Sequence, residues 1–139
     1  MAHILRRQEH ASVVGPRLEL NKRRVIMPDG IVIQLQPMEC SIYRLFLNHP
    51  EGIKAASMIT HCDELASIYA SESRYDDQNR QRVVVETICD RTKIAFYVCV
   101  SRIKKKFVTA IGVRKADKYI ISRNSAGFYR IQEGRTIIK

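Results

Sequence analysis

The hydrophobic period of this chain changes twice, and the order of those periods limits its fold more than any other feature. Between residues 17 and 35 the apolar residues come in short alternating runs: Leu18 and Leu20, then Val25 and Met27, then Ile31, Ile33 and Leu35. Alternation turns every second side chain to one face, so these runs predict half-buried strands. Pro28-Asp29-Gly30 interrupts them as a tight-turn sequence, because proline fixes φ and glycine accepts positive φ. A small antiparallel sheet is expected here. Residues 1–16 have no clear period and read as an N-terminal arm or a short strand.

From Pro37 the period lengthens. Met38, Ile42, Leu45 and Phe46 recur at three and four residues, which predicts an amphipathic helix that starts near Pro37 and is stopped by Pro50 and Gly52. A second helix is expected from about Ala55, with Met58, Ile59, Cys62, Leu65, Ala66 and Tyr69 as its buried stripe. Residues 71–82 are polar without a period and read as a loop; residues 83–88 suit either a short strand or the lead-in to a helix. Asp90 is placed to cap a third helix through its carboxylate. On that helix Phe96, Val100, Ile103 and Phe107 share one stripe. After Gly112 two β-like runs, 119–122 and 128–131, flank the turn-forming Asn124-Ser125-Ala126-Gly127. The expected architecture is α+β: an N-terminal antiparallel sheet, a three-helix core and a C-terminal β-hairpin. One domain spans 17–139, with an extended loop over 70–89 between the second and third helices.

The positive charge is concentrated in the last third. Residues 91–139 hold 13 Lys and Arg against two acids, whereas residues 1–90 hold 11 basic and 12 acidic residues. A solvated surface mixes signs, so a segment of one sign points to a polyanionic partner. Its centre is VSRIKKKF, residues 100–107, where four cations interrupt a helical apolar stripe. One face of that helix packs; the opposite face presents Arg102 and Lys105, with Arg91 a few turns earlier. A nucleic acid is the expected partner, and duplex DNA suits the helix, because a major groove admits a helix and Arg or Lys bonds to guanine edges. Lys93, Ser101 and Lys104 complete the helix candidates, Arg123 sits at the hairpin tip, and Lys115 and Lys118 lie just before it. Ile94 and Val98 fall near the outer face, where they would meet thymine methyls or pack on the long loop; the alternative is that the packed face is rotated from the stripe given above. A membrane partner is disfavoured, since the C-terminal third lacks the apolar helix face that interfacial anchoring needs. Structured RNA, read through Tyr97 or Phe128, and a protein partner docked on Ile94 and Val98 are the alternatives.

Other chemistry has little support. The four cysteines form no CxxC pair, and their expected role is as small buried hydrophobes, with Cys99 partly exposed beside the basic stretch. His3, His10, His49 and His61 are scattered, so neither a metal nor a cofactor is expected, and His49 reads as structural or merely exposed. No nucleophile–base pair or Gly-rich phosphate loop is present, and an enzyme is not expected. No window approaches the roughly 18 apolar residues of a membrane span, and the N-terminus has no signal-peptide run, so a cytoplasmic location is expected.

Four stretches carry a family resemblance. PDGIVIQLQPMECSIYRLFLNHPEGI contains a turn, a strand ending in Leu, and a helix with an early Glu39 that ends at Asn48-His49-Pro50-Glu51-Gly52. VSRIKKKF is similar to an I-x-x-L-R-x-K-L recognition-helix pattern, and AGFYRI to a closing G-Y-R-hydrophobic signature. In this order they resemble the OmpR/PhoB-type winged helix-turn-helix effector domain of bacterial response regulators, over about residues 17–132. The resemblance implies a transcriptional regulator with the basic helix in the major groove and the hairpin wing on the minor groove or phosphates. It also implies tandem pairing of two copies on direct repeats and RNA polymerase as a further partner, met through the segment between the second and third helices. Only about 16 residues precede the first strand, so no receiver domain is expected, and the 70–89 segment is longer than the family's loop.

Overall fold

The computed structural model describes residues 16–19, 22–72, 78–90 and 93–133. Arg17–Glu19 (β1), Arg24–Ile26 (β2) and Val32–Gln34 (β3) form an antiparallel sheet in that order. Its register sets Leu18 opposite Val25 and Val25 opposite Ile33, and all three are buried. Alternation along each strand thus becomes one apolar row across the sheet. On the other face Glu19 accepts from Arg24, its cross-strand neighbour. The β2–β3 connection closes at Pro28-Asp29-Gly30, where the Met27 N–H donates to the Ile31 carbonyl at 2.8 Å and Gly30 adopts φ +91°. Ile31, expected inside with Ile33 and Leu35, is exposed, because it belongs to the turn beyond the end of β3.

Pro37–Leu47 (α1) begins where the period predicts, with proline in its first turn. The Gln36 N–H donates to Glu39 Oε1 at 2.9 Å, which satisfies one of the donors that a helix start leaves unpaired. Ile42, Leu45 and Phe46 are buried and Met38 packs against them. After the turn, Ile53–Lys54 (β4) leads into a 3₁₀ turn over Ala55–His61 and then Cys62–Glu72 (α2). The expected α-helix from Ala55 is therefore only regular from Cys62. In the tighter 3₁₀ coil residues three apart eclipse, so Met58 points inward while Ile59 is exposed.

The largest departure follows. Gln78–Ile88 (α3) is a helix, not the C-terminal part of an extended loop over 70–89, and α2 itself runs to Glu72. The helical core accordingly exceeds the expected three helices. Val85, Ile88 and Cys89 are buried, and α3 packs on both α2 and the next helix. Its first half is polar, and its valines favour strands locally, so only this packing settles the helix. Ile94–Ile111 (α4) is entered from Lys93, which occupies the N-cap position at φ +61° without a side-chain cap bond. Asp90 is not its N-cap residue; the Lys93 N–H donates to the Asp90 carbonyl at 3.0 Å.

Gly112 ends α4, Val113–Ala116 (α5) makes one turn, and Ile121–Arg123 (β5) and Phe128–Ile131 (β6) form the expected hairpin. Asn124 Oδ1 accepts the N–H groups of Ala126 and Phe128, both at 3.0 Å, and so shapes the turn. Beyond expectation, β4 pairs with β6 to give a second sheet in the order β4-β6-β5. Gly52 makes this possible: at φ +97°, a Cβ on it would lie 2.8 Å from the Tyr129 carbonyl oxygen. One hydrophobic cluster joins both sheets and all four longer helices. No helix among the described residues is long and apolar enough to cross a membrane. The N-terminal arm except Pro16, together with Leu20, His3, His10 and Arg91, lies outside the described residues.

Candidate nucleic-acid interface

The orientation of α4 is set by α1. Glu39, Tyr43 and Phe46 follow one another at four and three residues and hence share a face of α1. Phe46 meets Phe96 at a centroid distance of 6.1 Å, and Tyr43 stacks on Phe107 at 5.5 Å. Lys106 donates to the buried carboxylate of Glu39. Contacts at both ends of the stripe fix the rotation of α4, burying Phe96, Cys99, Ile103 and Phe107 with Val100 packed beside them. The Tyr43 hydroxyl is fully buried and donates to the Tyr119 carbonyl at 2.6 Å, tying α1 to the approach to the hairpin. Burial pushes that phenol's pKa well above its ordinary value.

With the inner face so engaged, Ser101, Arg102, Lys104 and Lys105 are exposed. Lys106, the fourth cation of VSRIKKKF, is withdrawn by its pairing with Glu39. The outer face is not uniformly basic. Ile94, Tyr97 and Val98 are 63%, 45% and 42% exposed and form its N-terminal half, ahead of Ser101, Arg102 and Lys105. Ile94 and Val98 therefore do lie on the outer face. Lys93 precedes them at the half-buried helix start.

The hairpin is fastened to this same helix. Tyr129 on β6 meets Phe96 edge-on at 5.3 Å and lies 6.2 Å from Tyr97. Arg123 ends β5, exposed, with its guanidinium over the turn beside Gly127. Arg130 instead donates from Nε to the Pro50 carbonyl at 3.1 Å. Lys54 lies over the Phe128 ring at 5.1 Å, so this ring is already covered on one side. Lys118 and Lys115 are exposed and line a shallow cleft with Ile111, Tyr119 and the Met27-Pro28-Asp29 turn, at the C-terminal end of α4. Arg114 is a further exposed cation, beyond those expected at the interface. Among the described residues no acid forms an ion pair with Arg102, Lys104, Lys105, Arg114, Lys115, Lys118 or Arg123.

Two features revise the chemical expectations. Cys99 is buried on the inner face rather than partly exposed, and burial pushes its thiol up to about 12, as it does for Cys40 and Cys89. His49 and His61, distant in sequence, are neighbours with ring centroids 4.8 Å apart, and Glu64 lies against both. Their separation of twelve residues spans a turn and a 3₁₀ coil, so no periodic signal could announce the meeting. The chain matches no family model, no curated protein and no solved structure.

Proposed function

We propose that this chain is a winged helix-turn-helix domain of the OmpR/PhoB kind that binds double-stranded DNA sequence-specifically, as a bacterial transcription regulator in the cytoplasm. In this reading α4 enters the major groove and the β5–β6 hairpin is the wing, resting on the minor groove or phosphates. The observation that carries the reading is a rigid pairing of two cationic elements. The α1 contacts turn Arg102 and Lys105 outward, and the Tyr129–Phe96–Tyr97 cluster holds the hairpin, with Arg123, against the same helix. Such pre-organisation lets helix and wing meet one duplex without an ordering cost.

The N-terminal residues of a recognition helix lie nearest the base edges. Ile94, Tyr97 and Val98 would then face thymine methyls, with Ser101 and Arg102 next along the groove. Lys104, Lys105, Arg114, Lys115, Lys118 and Arg123 would anchor phosphates. The resemblance puts polymerase contact between the second and recognition helices; here α3 occupies that place, so no polymerase contact is included. Binding of two copies on direct repeats belongs to the same reading, whose role is recognition rather than catalysis.

The test is selection of bound sites from a random duplex pool, followed by a salt titration on the winner. Of the seven exposed cations named above, five or six phosphate contacts would give a log–log salt slope of about −5. A flat salt response, or no duplex bound at low salt, would overturn the reading. The exposed apolar trio favours one second reading, a protein-contact surface at the start of α4; binding there would resist salt. Single-stranded and structured RNA serve as competitors in the same titration, and preference for either would replace DNA by RNA.

A further inference from the structure

We propose that His49, His61 and Glu64 form a binding site for a divalent transition metal ion of the zinc class. Each side chain offers one ligand atom, and these atoms all lie within 4.8 Å of one another. His49 Nε2 is 2.8 Å from Glu64 Oε1, and His61 Nδ1 is 3.8 Å from that same oxygen. A tetrahedral ion with bonds of about 2.0–2.1 Å holds its ligands about 3.3 Å apart. The 2.8 and 3.8 Å separations each stand about 0.5 Å from that value and the widest about 1.5 Å, adjustments on the scale of side-chain rotation. The His49–Glu64 contact is satisfied as a hydrogen-bonded pair, but His61 Nδ1 stands beyond hydrogen-bond distance of Glu64. An ion between the three would engage this nitrogen too.

The surroundings suit a metal in two further ways. His49 Nδ1 faces Glu51 Oε2 at 3.3 Å, and Asn48 Nδ2 donates to Glu64 Oε2 at 3.4 Å. A carboxylate on the distal nitrogen of a ligating imidazole fixes its tautomer and leaves Nε2 free to coordinate. The scaffold is also braced. The His49 turn is clamped to β6 by Gly52 against Tyr129 and by Arg130 on Pro50, while His61 and Glu64 sit at the junction of the 3₁₀ turn and α2. Two imidazoles and one carboxylate favour zinc, cobalt, nickel or copper over magnesium or calcium, which prefer all-oxygen sites. Water would fill the open position. The site shares no residue with the outer face of α4 and does not depend on the DNA reading.

The experiment uses the full chain, stripped with chelator and kept reduced, titrated with zinc by calorimetry and with cobalt by absorption spectroscopy. One ion per chain is expected, with cobalt bands of low-symmetry nitrogen and oxygen coordination and no thiolate charge-transfer band. At a hundredfold excess of zinc over Kd, the melting temperature should rise by about 9 °C. His61→Ala and Glu64→Gln should each weaken binding at least tenfold, and Glu51→Gln, which removes the support behind His49, several-fold. Circular dichroism checks that each variant is folded. Zinc-dependent shifts of the His49 and His61 ring resonances in the unaltered protein give a readout that needs no variant. Absence of saturable binding, a thiolate band, or full affinity in both His61→Ala and Glu64→Gln would overturn the assignment.

Discussion

Substituting Gly52 by alanine tests whether the β4–β6 seam depends on a residue without a side chain. Two costs add at this position. The backbone sits at φ +97°, which an L-residue occupies at a penalty of about 1–3 kcal/mol. The new Cβ would also stand 2.8 Å from the Tyr129 carbonyl oxygen, 3.0 Å from Phe128 Cβ and 3.2 Å from Arg130 Cβ. Those neighbours are backbone or backbone-attached atoms of β6, so they yield only if the strand moves, at about 1–3 kcal/mol for overpacking. Alanine restricts the unfolded chain and recovers about 0.4–1 kcal/mol. The net loss is about 3 kcal/mol, and with about 2.1 cal/mol/K of unfolding entropy per residue this lowers Tm by about 10 °C. Gly30→Ala is the matched control: its φ is +91°, yet nothing lies within 4 Å of the added Cβ. The conformational penalty applies there without the contact cost, and less the same unfolded-chain gain it nets about 1–2 kcal/mol, or about 3–7 °C. Differential scanning calorimetry on both variants measures the contrast. Equal Tm losses, within about 2 °C, would show that the close approach of the turn to β6 is not what Gly52 serves.

Arg102→Ala should cost about 1–3 kcal/mol at the selected DNA site and relax preference at one base position, whereas Arg123→Ala should weaken all sequences evenly and flatten the salt slope; binding to a sequence panel separates them. If folded Arg102→Ala binds every sequence as the parent does, α4 is not the reader. Lys106→Met removes the partner of the buried Glu39 and, since Lys106 is itself a third exposed, should destabilise by about 2 kcal/mol in urea unfolding. Tyr43→Phe leaves the Tyr119 carbonyl without its buried donor and should cost about 1–2 kcal/mol in the same assay. Ile103→Asp places an unpaired carboxylate in the core and should abolish the cooperative transition altogether.

What could be read directly from the sequence is what local periodicity encodes. The Leu18–Val25–Ile33 row, the start of α1 at Pro37, the inner stripe of α4 and the hairpin around Asn124–Gly127 each repeat an apolar or turn-forming residue at a fixed interval. Solvent selects the buried side of such a segment before any partner is known. The outward position of Arg102 and Lys105 follows as the complement of that stripe. The remainder depended on distant partners. Residues 78–88 are polar enough to pass for loop, and become helix because Val85 and Ile88 find a place between α2 and α4. Two residues, Ile53 and Lys54, are too few to show a period, and become a strand because β6 has a free edge beside them. The tighter 3₁₀ coil shifts the phase that carries Ile59 outward, and it also brings His61 around to His49 and Glu64. Period is a property of neighbours along the chain; meetings between residues far apart are decided by how the packed elements close on one another.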